Sequence, residues 1–172
     1  SVTGGQKVVV TGFNGIGKST LLKTLTENLA PLSGIFTFSQ QVTIGYFDQE
    51  LVWENDMLTP IQIVSNAYPE LILKKIRRHL TRCGILSRQA MQPMGTLSGG
   101  EQAKVKLCLL TLSPCNFLIM DEPTNHLDIQ AKEALQTALK SFPGTILLVS
   151  HEESFYRSWA DRIIHIGDHT SP

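Results

Sequence analysis

No sign of charge dominates this chain: 15 lysines and arginines stand against 15 aspartates and glutamates, for a formal net charge of zero over 172 residues. Composition alone therefore gives no case for a nucleic-acid or membrane surface as partner. Cysteine is scarce. Cys83, Cys108 and Cys115 are odd in number and show no CxxC spacing, which argues against a disulfide framework or zinc site and for a reducing compartment. No uninterrupted apolar run approaches the length of a membrane span, and the first residues do not read as a secretory leader. The expectation is a soluble, cytoplasmic protein or a piece of one. At 42% apolar and 17% charged residues the chain is ordinary for a globular protein, most simply a single domain over 1–172.

What is present is an alternation of strand and helix signals. "KVVVTG" (Lys7 to Gly12) is a β-branched run that stops at glycine, as a buried strand would. Leu21, Leu22, Leu25 and Leu29 mark one face of a helix from Lys18, ended by Pro31 and Gly34. "GIFTFSQQVTIGYF" predicts two strands and a turn. Helices are predicted over Pro60 to Ala67, over Pro69 to Cys83 with Gly84 past the end, and from "LSGGEQ" to Leu112. "NFLIM" and "TILLV" are buried-strand runs separated by a helix from Ile129 to Phe142; a helix over Glu153 to Ala160 and a strand "RIIHI" follow. This order implies an α/β fold with a mainly parallel sheet flanked by helices.

"GFNGIGKS" (Gly12 to Ser19) fits G-x-x-x-x-G-K-[ST] between a predicted strand and helix, the context a phosphate loop requires. The backbone N–H groups of such a loop curl around phosphate oxygens at a helix N-terminus. Lys18 would reach the β- and γ-phosphates and the Ser19 hydroxyl would ligate Mg²⁺. "FLIMDEP" sets Asp121 and Glu122 at the end of a buried strand, the edge where ligands of open α/β sheets bind. Asp121 suits Mg²⁺ through its water shell, and Glu122 suits a general base acting on water. His151 follows "TILLVS" at a similar position. A lone histidine is more often structural, yet a strand end favours contact with the terminal phosphate. Gln49, in "GYFDQE", could touch Mg²⁺ or the water, and spacing alone leaves it undecided. In "LSGGEQ", Ser98 and Glu101 read as a capping box. Gly99 and Gly100 cost backbone entropy at that helix start and make sense where an anion approaches bare N–H groups.

These strings occur together, and in order they resemble the motifs of ABC-type ATPase domains: "GFNGIGKST" the Walker A loop, "FDQ" the Q-loop, "LSGGEQ" the signature, "FLIMDEP" Walker B, Leu127–Asp128 the D-loop and Ser150–His151 the H-switch. "DEPTNHLD" resembles the ABC-F subfamily, tandem-domain ATPases without membrane spans, many acting on the ribosome and some conferring antibiotic resistance. The resemblance implies a P-loop NTPase fold with a helical subdomain near 50–112 that carries the signature. It implies ATP and Mg²⁺ as cofactors, with Gly12, Asn14, Gly15, Gly17, Lys18, Ser19 and Thr20 on the nucleotide. Ser19, Gln49 and Asp121 would serve the metal, and Glu122, His151 and Gln49 the chemistry. Two nucleotide-binding domains of this kind, in one chain or a dimer, face each other head to tail. Ser98, Gly99, Gly100 and Asp128 would then complete an ATP site held by the partner.

The chain departs from that pattern in one respect. None of the 11 residues before Gly12 is aromatic, so the adenine-stacking platform of the family is expected to be absent or supplied by sequence outside these residues, as are its antiparallel strands. The short, helical stretch between Gln49 and Leu97 favours the second domain of a tandem pair. An isolated domain with half of each composite site is expected to turn ATP over slowly. "LKKIRRHLTR" carries Lys74, Lys75, Arg77, Arg78, His79 and Arg82 on a helix whose Leu73, Ile76 and Leu80 form the buried stripe. The plainer reading is a solvated basic face; the sharper is contact with ribosomal RNA phosphate. Two other functional classes remain: an ATPase domain energising a membrane transporter, and a nucleotide-gated binding module whose turnover is incidental.

Overall fold

β-Branched residues at 8–10 set the centre of a sheet: β1 (Lys7–Gly12) buries Val8, Val9 and Val10 on both faces. The computed structural model of the chain describes residues 1–26, 29–47, 53–125 and 127–167. These fall into two compact units, the first drawn from Ser1–Gln49, Pro114–Glu122 and Leu139–Pro172, the second from Glu50–Ser113 and Pro123–Ala138. The elements run β1, α1 (Lys18–Leu25), β2 (Ile44–Phe47), α2 (Pro60–Ala67), α3 (Leu73–Arg82), α4 (Gly99–Leu112), β3 (Phe117–Asp121), α5 (Ile129–Ser141), β4 (Thr145–Val149), α6 (Glu153–Tyr156) and β5 (Arg162–Ile166).

The first unit holds the sheet. Its order is β2-β3-β4-β1-β5 and every pairing is parallel, in line with the sequence. β3 and β4 are buried along their whole length, whereas β5 at one edge is largely exposed. Uninterrupted apolar runs thus mark the strands that are covered on both faces. On one face Val8, Val10, Phe117, Ile119, Leu147 and Val149 join Leu22 of α1 in a single cluster. Each such side chain removed from water stabilises the fold by about 1.5–3 kcal/mol before the cost of ordering it.

Three expectations fail in this unit. The strand pair read from "GIFTFSQQVTIGYF" is a single strand, β2; residues 35–43 form no ladder. Aromatic packing holds that segment instead, with Phe36 against Phe38 at 5.8 Å and Phe38 against Phe117 of β3 at 5.7 Å between ring centroids. Alternation alone cannot tell an extended segment docked by side chains from one paired by backbone. The first helix also ends earlier than the leucine spacing suggests. Thr26 closes α1 with its N–H and hydroxyl both on the Leu22 carbonyl, and Leu21 and Leu29 are exposed while Leu22 is buried. α6 is likewise a short helix continued by a turn at Trp159 and Ala160.

The second unit is helical. Thr59 and Gln62 form a capping box ahead of α2, with Pro60 at its first position. The following helix starts at Leu73, four residues later than Pro69, because the Leu71 N–H turns back onto the Tyr68 carbonyl. At its end the Ile85 N–H bonds the Leu80 carbonyl and the Gly84 N–H that of Thr81, with Gly84 at φ +83°. That pairing is a Schellman turn, and it demands the left-handed backbone glycine supplies. Ile76 and Leu80 are buried as expected, while Leu73 is half exposed. Ser98 caps α4, and Asp128 caps α5 by accepting from the Ala131 N–H at 2.8 Å.

Candidate nucleotide site

The phosphate loop grows out of β1 because the strand must turn sharply above a neighbour. At Gly12 φ is +151°, and a Cβ there would lie 2.5 Å from the Ile166 carbonyl oxygen of β5. Gly17, at φ +99°, caps α1 without a side chain, which leaves the first N–H groups of the helix uncovered. Gly15 lies between them at φ +81°. Lys18 is buried, and its Nζ donates to the carbonyls of Gly12 (2.8 Å) and Phe13 (2.9 Å), across the concave side of the loop. Ser19 follows in α1 half-buried; Asn14 and Thr20 are exposed.

Asp121 is the last residue of β3 and 1% exposed. Glu122 then breaks out of the strand at φ +44°, the one non-glycine residue with positive φ among those described. Its N–H still bonds the Val149 carbonyl of β4 at 2.9 Å, so the strained residue stays pinned to the sheet. The Glu122 side chain is 10% exposed, with Oε1 at 3.3 Å from His151 Nε2 and Oε2 accepting from the His151 N–H at 3.4 Å. Burial pushes the Glu122 carboxyl up from its ordinary range; His151 and Lys18 pull it part of the way back. A carboxylate raised by burial is a better proton acceptor than a solvated one.

The topology explains the meeting. β3, β4 and β1 are neighbours, and Glu122, His151 and Gly12 stand at the same end of each. A cleft of about 440 Å³ opens beside the loop, lined by Thr11, Gly12, Phe13, Asn14, His151, His165 and Ile166. Reading the sequence missed His165. Its Nδ1 is hydrogen-bonded to Thr11 Oγ1, and the two residues are register partners on β5 and β1. Pairing "RIIHI" with "VVVTG" in parallel, Val8 opposite Arg162, would have exposed that contact. Gln49 lies outside the described residues.

Ser98, Gly99, Gly100 and Asp128 belong to the second unit. Ser98 Oγ accepts from the Glu101 N–H, and Glu101 Oε2 accepts from the Ser98 N–H at 2.7 Å. Gln89 donates to the other oxygen of Glu101. That capping holds the Glu101 carboxyl below its usual range. Ser98 and Gly99 are exposed, so the start of α4 faces outward. Asp128 pairs with Lys104 of α4 at 2.7 Å, and this bond holds its carboxyl low as well.

Among the described residues no group of three or more His, Cys, Asp or Glu side chains could hold a metal alone. The Ser19 hydroxyl and the Asp121 carboxylate nevertheless match Mg²⁺, which favours oxygen donors, keeps waters and shares phosphate oxygens.

Comparison with known proteins bears on the family and the fold. A sequence model of the family described as "ABC transporter" matches residues 1–125. The uncharacterized ABC transporter ATP-binding protein YfmM of Bacillus subtilis is 47% identical over 152 residues, 88% of this chain and 29% of YfmM. ATP-binding cassette sub-family F member 3 of Homo sapiens is 41% identical over 153 residues, 88% of this chain and 22% of that protein. The chain thus spans under a third of the length of these relatives. Among solved structures, a dimeric ATP-binding cassette in a post-hydrolysis state with ADP and Pi superposes with a TM-score of 0.76 at 21% identity, covering 96% of this chain and 83% of that one.

Proposed function

We propose that this chain, which belongs to the ABC transporter family, is the ATP-hydrolysing lobe of a sub-family-F-type cytoplasmic factor that closes on a second nucleotide-binding domain and acts on the ribosome. One observation carries the reading: three neighbouring strand ends bring Lys18, Glu122 and His151 to one edge of the sheet, with Glu122 and His151 in contact. Loop N–H groups from Gly12 to Gly17, with Asn14, Lys18, Ser19 and Thr20, take the triphosphate of ATP. Ser19, Asp121 and Gln49 hold Mg²⁺, which when bound offsets the charge on the phosphates. Glu122 receives the proton of the attacking water, and His151 orients the terminal phosphate. The start of α4 (Ser98, Gly99 and Gly100), where Ser98 and Gly99 are exposed, and Asp128 complete the partner's site.

A triphosphate held between two lobes binds the closed pair better than the open one. Hydrolysis removes the bridging phosphate and with it the preference for closure. Glu122→Gln in the full-length protein is expected to lower turnover by about 10²–10⁴-fold and to trap the ATP-bound closed state. Hydrolysis at the unaltered rate would overturn the assignment of the base.

α3 supports the ribosomal part of the proposal. Lys74, Lys75, Arg77, Arg78 and Arg82 are all exposed, and no acidic residue occurs between Glu70 and Glu101. Burial lowers the His79 pKa, and the neighbouring charges of Arg82, Arg78 and Lys75 add to the lowering. Neutralising Lys74, Arg77 and Arg78 should weaken ribosome binding and flatten its salt dependence by about 2 in slope. Identical binding across a salt series would remove RNA contact from the proposal.

A further inference from the structure

We infer that Lys104 is a positioning residue that ties Asp128 to α4, so that the Ser98–Gly100 cradle and Asp128 meet a second domain's nucleotide as one surface. The inference rests on the composite-site reading above and adds a residue which that reading does not use.

The geometry is local to the second unit. Lys104 Nζ donates to Asp128 Oδ2 at 2.7 Å, across 24 residues of chain. A solvated lysine–aspartate pair contributes little, because two mobile side chains must be held in place for one screened contact. Here both partners are already confined. The Lys104 side chain is only 12% exposed. Its stem runs along the Schellman turn of α3, where a Cβ on Gly84 would sit 3.6 Å from Lys104 Cδ and Cε. Asp128 is fixed from the other side by the Ala131 N–H on Oδ1 at 2.8 Å. The lysine also stands three residues after Glu101, and its charge acts on that capping carboxylate.

Ordinary helix capping does not call for this arrangement. α4 is closed by Ser98 and Glu101 and α5 by Asp128 Oδ1, so neither end requires Lys104. Asp128 remains 59% exposed, which leaves its carboxylate presented outward while its orientation is set from behind. Lys104 therefore joins the two segments that the composite-site reading sends to the partner's nucleotide.

The test uses the full-length protein with Lys104→Met, Lys104→Arg, Asp128→Ser and the Lys104→Met/Asp128→Ser double variant. Serine retains the α5 cap and loses the pair. Lys104→Met is expected to lower kcat about tenfold, the scale of a displaced positioning group, with KM for ATP within about twofold. Lys104→Arg should restore most of the rate, and the double variant should be no slower than the slower single variant. Amide exchange at 98–101 and 127–131 should accelerate together in Lys104→Met, with or without nucleotide. Unlinked exchange at the two segments overturns the inference, as does a double variant whose rate loss is the product of the single ones. If linked exchange appears in a protein that does not turn over ATP, the positioning role stands and the proposed function falls.

Discussion

The carboxylates of the two units lead opposite lives. Glu122, at the end of a sheet strand, is buried, left-handed in its backbone and pushed toward its protonated form. Glu101 and Asp128, at helix starts, carry charge-assisted bonds that hold them toward the ionised form. The sheet positions Glu122 through strand register and accepts backbone strain there. The helical unit holds its carboxylates through caps and an ion pair. A proton acceptor benefits from desolvation, and a surface that must meet a partner benefits from staying charged and ordered.

That contrast can be broken at three points. The largest effect is expected at the phosphate loop: Gly12→Ala sets a methyl against the Ile166 carbonyl at 2.5 Å and strains φ. It should cost about 2–4 kcal/mol in urea unfolding. A cost below about 1 kcal/mol would mean that the loop yields easily, which removes the argument for a preformed cradle.

Next comes Glu122. Its folded pKa lies above the unfolded value, so the folded chain holds this proton more tightly. Its ionisation therefore costs stability above the raised pKa and nothing below the ordinary carboxylate range. Glu122→Gln should thus raise stability at neutral pH, with the gain vanishing as pH falls through the ordinary glutamate range. Melting temperatures of both proteins across pH 4–8 measure it, and a gain independent of pH would contradict the burial account. The smallest effect is Glu101→Ala, which opens the α4 capping box and should cost about 1 kcal/mol in denaturant unfolding. Asp128 works in the reverse sense of Glu122: its lowered pKa lends stability above the ordinary aspartate range, lost as pH falls below it.

The features legible in the sequence are those set by neighbours along the chain. The loop from Gly12 to Ser19, the box of Ser98 and Glu101, the glycine after α3 and the runs at Phe117–Asp121 and Thr145–Val149 all depend on residues within a turn of each other. Long-range partners were not legible. Lys104 meets Asp128 across 24 residues, and Thr11 meets His165 across 154. No local pattern marks either pair. The failed strand at 35–43 belongs to the same class, since Phe117 decides what Phe38 does. The short α1 has another cause: the Thr26 hydroxyl competes for a helical carbonyl that leucine spacing cannot register.

The left-handed turn at Glu122 sets durability against usefulness. A residue with a Cβ at φ +44° carries a conformational penalty of about 1 kcal/mol that glycine would avoid. In a library passaged for heat resistance alone, this position should drift toward glycine, and on the role proposed for Glu122 the survivors would be robust and idle. Such drift, read by sequencing the population over rounds, would record what the chain gives up in robustness to keep a carboxylate at that bend.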